Sequence, residues 1–101
     1  MLRFAVAGAP LSTPKPGGTV EGLKYAKKLG ITAMEIEWVQ AVPKDPARMA
    51  EIRKTAEELD MTLTVHAPYY VNLNSPEPEK LAASIGRVTA ALSMGELAGV
   101  R

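Results

Sequence analysis

The sequence predicts an α/β chain: a parallel βαβαβα segment with the make-up of the first three units of a (β/α)8 barrel, filling residues 1–101 as one partial-barrel domain. Three observations predict it. Apolar β-like runs alternate with helical patterns along the whole chain, and strands that alternate with helices are joined by right-handed crossovers into a parallel sheet. Each repeat takes roughly thirty residues, the size of one β/α unit. Along each run one face is apolar and the other is small, polar or charged. A doubly wound sheet would bury both faces and read as continuous Val, Ile and Leu.

The first run is Leu2 to Gly8. The stretch from Ala9 to Gly18 is a loop, because its prolines and glycines deny it both ladder and helix. Thr19 is the expected N-cap of a helix with Val20, Leu23, Ala26 and Leu29 on one face, and Gly30 supplies the left-handed residue that ends it. The second run is Thr32 to Val39. Asp45-Pro46 opens the next helix, Asp as the cap and Pro at the first helical position, with Met49, Ile52, Ala56 and Leu59 as its buried stripe. The third run, Met61 to His66, leads into the loop Ala67 to Asn74. Ser75-Pro76 is then expected to start a last helix with Leu81, Ile85, Val88 and Leu92 inward.

Strand parity assigns the two faces of the sheet. Leu2, Phe4 and Val6, then Met34, Ile36 and Trp38, then Leu63 and Val65 are expected to meet the helices. Arg3, Ala5 and Ala7, with Glu35 and Glu37, and with Thr62, Thr64 and His66, are expected to face the lumen. Arg3 is the expected neutralising partner of Glu35 or Glu37, since neighbouring strands lie about 4.8 Å apart. A barrel of this kind needs about 250 residues. The chain is therefore expected to be a fragment of a larger domain and to self-associate through its open edges or its lumen face.

Composition narrows the function classes. The net charge of +1, from 12 basic and 11 acidic residues, excludes nucleic-acid binding by bulk charge. The absence of cysteine excludes disulfides, thiolate metal sites and thiol catalysis. With 47% hydrophobic and 23% charged residues, the chain is globular rather than disordered. No apolar run approaches the ~18 residues of a membrane span, and a cytoplasmic location is expected.

Few residues carry chemistry, and they gather at strand ends. His66 is the only histidine and stands at the C-terminal end of its strand, where the sites of (β/α)8 proteins collect. It reads either as a metal ligand or as a loop histidine hydrogen-bonded in place. Glu35 and Glu37 are two apart on one strand and so share a face. They read as a metal-binding or acid–base pair, or as polar filling of the lumen, and Glu37 lies nearer the loop end. Tyr69 and Tyr70, with Asn72, follow His66 on a loop suited to stacking on bases or sugars, or to packing beneath the loop itself.

The segment His66-Ala67-Pro68-Tyr69-Tyr70-Val71-Asn72-Leu73-Asn74 resembles the third-strand motif of the endonuclease IV family (AP endonuclease family 2), among the xylose-isomerase-like TIM barrels. The opening strand with its Gly8-Ala9-Pro10-Leu11-Ser12 turn, and the order of the units, are similar to archaeal-type members. That resemblance implies a zinc-dependent phosphodiesterase cutting DNA beside abasic sites in base-excision repair, through a metal cluster at the barrel mouth. By it, His66 matches a zinc ligand, with Glu37 the other metal donor this chain offers, and Tyr69 and Tyr70, with Asn72 beside them, match positions that meet DNA. The chain departs from the family in carrying Pro10 where well-known members have a histidine. It also carries Val39-Gln40-Ala41-Val42-Pro43 where they have a polar loop. With the remaining ligands absent, the isolated chain is expected not to nick DNA. The alternatives are a sugar isomerase or epimerase barrel, in which Glu37 rather than the tyrosines matters, and a non-catalytic oligomerising module.

Overall fold

The computed structural model describes every residue from Met1 to Arg101. Six elements follow in strict alternation: β1 (Ala5–Ala7), α1 (Thr19–Lys28), β2 (Ala33–Glu37), α2 (Pro46–Glu58), β3 (Thr62–His66) and α3 (Pro78–Ala98). The strands form one parallel sheet in the order β1-β2-β3. The fold is that of a partial (β/α)8 barrel, as the alternation predicts.

Register sets the two faces. Val6, Met34 and Leu63 lie in one row, and Ile36 and Val65 in the next. Their side chains point to the helices, where Met34, Ile36, Trp38 and Leu63 are buried against Leu23 and Ala26 of α1, Met49, Ile52 and Ala56 of α2, and Ala91 and Ala98 of α3. On the opposite face Ala7, Glu35 and Thr64 share a row, and Glu37 pairs with His66. Ala7, Glu37, Thr64 and His66 are exposed and Glu35 half-buried. The parity reading holds for Val6 and for β2 and β3, but Leu2 and Phe4, expected against the helices, precede β1 (Ala5–Ala7) and are exposed, because no helix covers the chain before the strand begins.

Helix boundaries follow local chemistry. Asp45 caps α2, its carboxylate accepting from the backbone N–H of Ala47 at 3.1 Å and of Arg48 at 3.3 Å, with Pro46 opening the helix. Thr19, expected as a cap, is instead the first residue of α1, and the cap position falls on Gly18, which offers no side chain. The last helix starts later than Ser75-Pro76 suggests, with Glu77 at the cap and Pro78 behind it. The Ser75 hydroxyl does accept from Glu77 N, so it shapes the turn that leads into the helix.

The expected inward stripe of α3 is corrected. Ser84, Ala91, Gly95 and Ala98 are its buried residues, while Ile85 and Leu92 are 51% and 69% exposed. The helix lies mainly along α2 and touches only the edge strand β3. Small residues suit such a close approach, and the larger side chains turn away. Leu29, expected on the inner face of α1, is also exposed, because it lies in the cap where the helix has already ended.

Arg3 is the second correction. Its guanidinium reaches away from Glu35 and Glu37 and donates to the carbonyls of Asp60 at 2.7 Å and Thr32 at 3.2 Å. It also lies 3.4 Å from the Asp60 carboxylate. Arg3 precedes β1, so it sits at the N-terminal edge of the sheet, beside the turn that feeds β3. The two glutamates belong to the strand's other half.

The packing between β1 and α1 turns on Gly22. A Cβ there would stand 2.5 Å from the Ala9 Cβ and 3.0 Å from its Cα. The loop leaving β1 can cross the helix only because this position is bare. Gly22→Ala should therefore lower stability by about 1–2 kcal/mol despite alanine's better helix propensity, since overpacking against backbone outweighs that gain. Chemical denaturation would show it as a reduced midpoint with unchanged slope; an equal or raised midpoint would mean the loop can shift.

The molecule is open for its size. Its accessible surface of 6765 Å² exceeds the ~5,500 Å² expected of a compact monomer of this mass, and its radius of gyration is 14.7 Å against about 13 Å. Leu2 and Phe4, just before β1, are 79% and 76% exposed, and Ile85 and Leu92 on α3 are exposed as well. Unpaired edges flanked by apolar side chains favour association. Sedimentation is expected to show the 101-residue chain in concentration-dependent assemblies, and a monomer at every concentration would refute this.

Candidate functional site at the C-terminal end of the sheet

The parallel strands run their C-terminal ends into three adjacent loops. β1 ends at Ala7 and is followed by Gly8, whose φ of +72° turns the chain sharply while its N–H donates to the Glu35 carbonyl at 2.8 Å. A Cβ on Gly8 would touch the Glu37 side chain at 3.5 Å, so the first loop leaves room for that carboxylate. β2 ends at Glu37 and β3 at His66, and these two are direct register neighbours. The sequence reading thus brings its two metal-donor candidates side by side at one mouth.

The electrostatics centre on the glutamates. Glu37 has its carboxyl pushed above the ordinary carboxylate range, first by its hydrogen bond with Glu35, then by partial loss of water and by the Glu35 charge, with His66 pulling the other way. His66 places Nδ1 2.6 Å from the Ala67 carbonyl. A carbonyl only accepts, so Nδ1 carries the hydrogen and Nε2 keeps its lone pair for a ligand or a proton.

The loop after His66 is pinned at several points. Trp38 N donates to the His66 carbonyl at 3.0 Å, and Tyr69 N to the Val39 carbonyl at 3.2 Å, which carries the β2–β3 pairing past the strand ends. The Tyr70 hydroxyl donates to the Gln40 carbonyl, and its ring lies under the Arg87 guanidinium at 4.7 Å. Tyr69 sits edge-on to Tyr70, with centroids 5.2 Å apart, and is 72% exposed. The two tyrosines therefore differ: Tyr70 braces the loop while Tyr69 offers its ring outward. The Asn72 side chain accepts from Asn74 N at 3.0 Å, and its own N–H donates to the buried Ser84 hydroxyl at 2.9 Å. Asn72 thus shapes its loop.

Sequence spacing gave no sign of Arg87, Gln40 or Ser84. They reach this loop from other elements, 17, 30 and 12 residues away, and nothing local in the chain announces such contacts.

Chemically, an imidazole nitrogen beside a carboxylate is a sound pair of donors for a zinc-type cation. No third His, Cys, Asp or Glu completes a metal-binding group with them.

The profile of the xylose isomerase-like TIM barrel matches residues 23–101. The chain belongs to this family. Across 88 residues it is 36% identical to the uncharacterized protein MJ0133 of Methanocaldococcus jannaschii, an alignment covering 87% of this chain and 30% of that protein. A crystal structure of D-psicose 3-epimerase in the presence of D-fructose superposes on 99% of the chain with a TM-score of 0.78 and 18% sequence identity, covering 35% of that structure. At that identity the likeness is one of fold. This member of the family spans about a third of the length of both proteins. No helix in it is long and apolar enough to cross a membrane.

The glutamate pair generates a pH prediction. A group whose folded pKa is raised favours the fold most when protonated; that contribution is complete below the ordinary carboxylate range and is lost as pH rises through the raised value. Glu37→Gln imitates the protonated state. It should melt above the wild type at neutral pH, with the difference closing as the solution is acidified. A difference that stays constant with pH would mean that the Glu37 carboxyl is not raised in the fold.

Proposed function

We propose that the chain forms part of the mouth of a sugar isomerase or epimerase of the xylose isomerase-like barrel type, in which Glu37 and His66 are the working side chains. The observation that carries this reading is the register pairing of Glu37 with His66 on the lumen face, next to Glu35. Carboxylates that no arginine neutralises accept hydrogen bonds from the hydroxyls of a neutral polyol, whereas they repel the phosphates of a nucleic acid. His66 Nε2 and the Glu37 carboxylate would hold a divalent cation as two of its ligands, and such a cation supplies polarisation of a hydroxyl or carbonyl oxygen. The fold likeness to a sugar epimerase supports the same reading.

The second reading, a zinc-dependent phosphodiesterase acting on abasic DNA in the manner of endonuclease IV, draws on Tyr69. An aromatic ring 72% exposed on the loop that follows His66 is placed to stack on a displaced base or sugar. The lumen face beside it is acidic, which counts against a polyanion.

Resonance assignments of the labelled chain separate the two readings. Mn²⁺ is expected to broaden the amides of Glu37 and His66 first, and D-fructose at high millimolar concentration to shift Glu35, Glu37 and His66. An abasic duplex should leave Tyr69 unmoved at physiological salt. If the duplex shifts Tyr69 and Tyr70 while the ketose shifts nothing, the phosphodiesterase reading replaces the first. Silence at Glu37 and His66 toward Mn²⁺, ketose and duplex overturns both.

A further inference from the structure

Arg87 lies half-buried in the middle of α3 and forms no ion pair. Its guanidinium is spent on one residue: it lies 4.7 Å from the Tyr70 ring centroid and points Nη1 at the Tyr70 carbonyl, 3.5 Å away. Tyr70 in turn donates its hydroxyl to Gln40, which follows Glu37 by three residues, and stands four residues beyond His66.

We propose that Arg87 is a positioning residue of the mouth: stacked on Tyr70, it locks the loop after β3 onto the loop after β2 and so fixes His66 relative to Glu37. The two strand ends are already joined by Trp38 N to His66 O and by Tyr69 N to Val39 O. Those bonds lie next to the strands, where each extra residue of loop adds freedom. The Tyr70–Gln40 contact closes the far end of the paired segment, and Arg87 sets the ring that makes it. An arginine stacks on an aromatic face with a planar, weakly hydrated cation, so the clamp survives partial exposure of Tyr70, which is 43% exposed. The same placement explains why the side chain has no carboxylate partner: an ion pair would draw the guanidinium off the ring. The part of this proposal that concerns His66 and Glu37 as a donor pair rests on the function proposed above.

The test uses the 101-residue chain with Arg87→Gln, Arg87→Lys and Tyr70→Phe. Two quantities are read: hydrogen exchange at the Tyr69 amide, and affinity for Co²⁺ followed by its visible absorption. Arg87→Gln is expected to speed Tyr69 exchange about two- to fivefold, the scale of one exposed cation–π contact, and to weaken Co²⁺ binding by a similar factor. Arg87→Lys, which keeps a cation over the ring, should recover part of both. Tyr70→Phe, which keeps the ring and loses the bond to Gln40, should speed exchange while leaving the Arg87 stacking intact. Unchanged exchange in Arg87→Gln overturns the clamp. Faster exchange with unchanged Co²⁺ affinity overturns the positioning role. A wild-type chain that binds no Co²⁺ overturns the donor pair instead, and the exchange measurement then decides the clamp alone.

Discussion

Everything at the mouth depends on the parallel register of β2 with β3. Side chains alternate with a period of two, so a slip of one residue in either strand would exchange the two faces completely. In the observed register Met34 sits beside Leu63 and Ile36 beside Val65 on the helix side, which leaves Glu35 beside Thr64 and Glu37 beside His66 on the other. Apolar burial enforces that choice. Bringing Glu35 and Glu37 under α1 and α2 would desolvate two carboxylates among Leu23, Met49 and Ile52, at a cost of several kcal/mol each. The same alternation that makes a core therefore delivers the imidazole and the carboxylate to one face.

Beyond the strand ends that alternation loses its hold, and the backbone takes over. Trp38 is the last residue of the apolar row and is buried at 5% exposure, while its N–H reaches the His66 carbonyl. One residue thus ends the core and begins the pairing of the loops. Gly8 does the corresponding service on the other side, where it turns the chain in the left-handed region while its N–H donates to the Glu35 carbonyl. Backbone hydrogen bonds thus tie the strand ends together on both flanks of Glu37.

Periodicity made the faces of the sheet legible, and cap chemistry made the start of α2 legible, because both depend on residues close in sequence. Asp45-Pro46 could hardly read otherwise. The mistakes share a cause. Ile85 and Leu92 looked inward because a helix over a full sheet would bury its largest side chains, whereas α3 lies against one edge strand and α2 and uses Ser84, Ala91 and Gly95 for contact. Arg3 was paired with Glu35 or Glu37 from strand adjacency alone. Its place before β1 puts it instead at the opposite end of the strands, where Asp60, in the left-handed region at φ 52°, holds out both a carbonyl and a carboxylate. Contacts such as Arg87 on Tyr70 join side chains from separate elements, and no local pattern encodes them.

The displacement of Arg3 has a consequence for the chemistry. A carboxylate pair with an arginine beside it would be a settled structural ion network, its charge already spent. Without one, the Glu37 carboxyl lies above the ordinary carboxylate range, raised first by its hydrogen bond with Glu35, then by partial loss of water and the Glu35 charge. A sheet that needed those residues only for solubility would gain by spacing them apart or by interleaving a lysine. Keeping two acids two residues apart at the end of a strand retains an unsatisfied demand for a proton, a cation or a set of hydroxyl donors. The acidic mouth thus follows from where the chain spends its first arginine, as much as from the glutamates themselves.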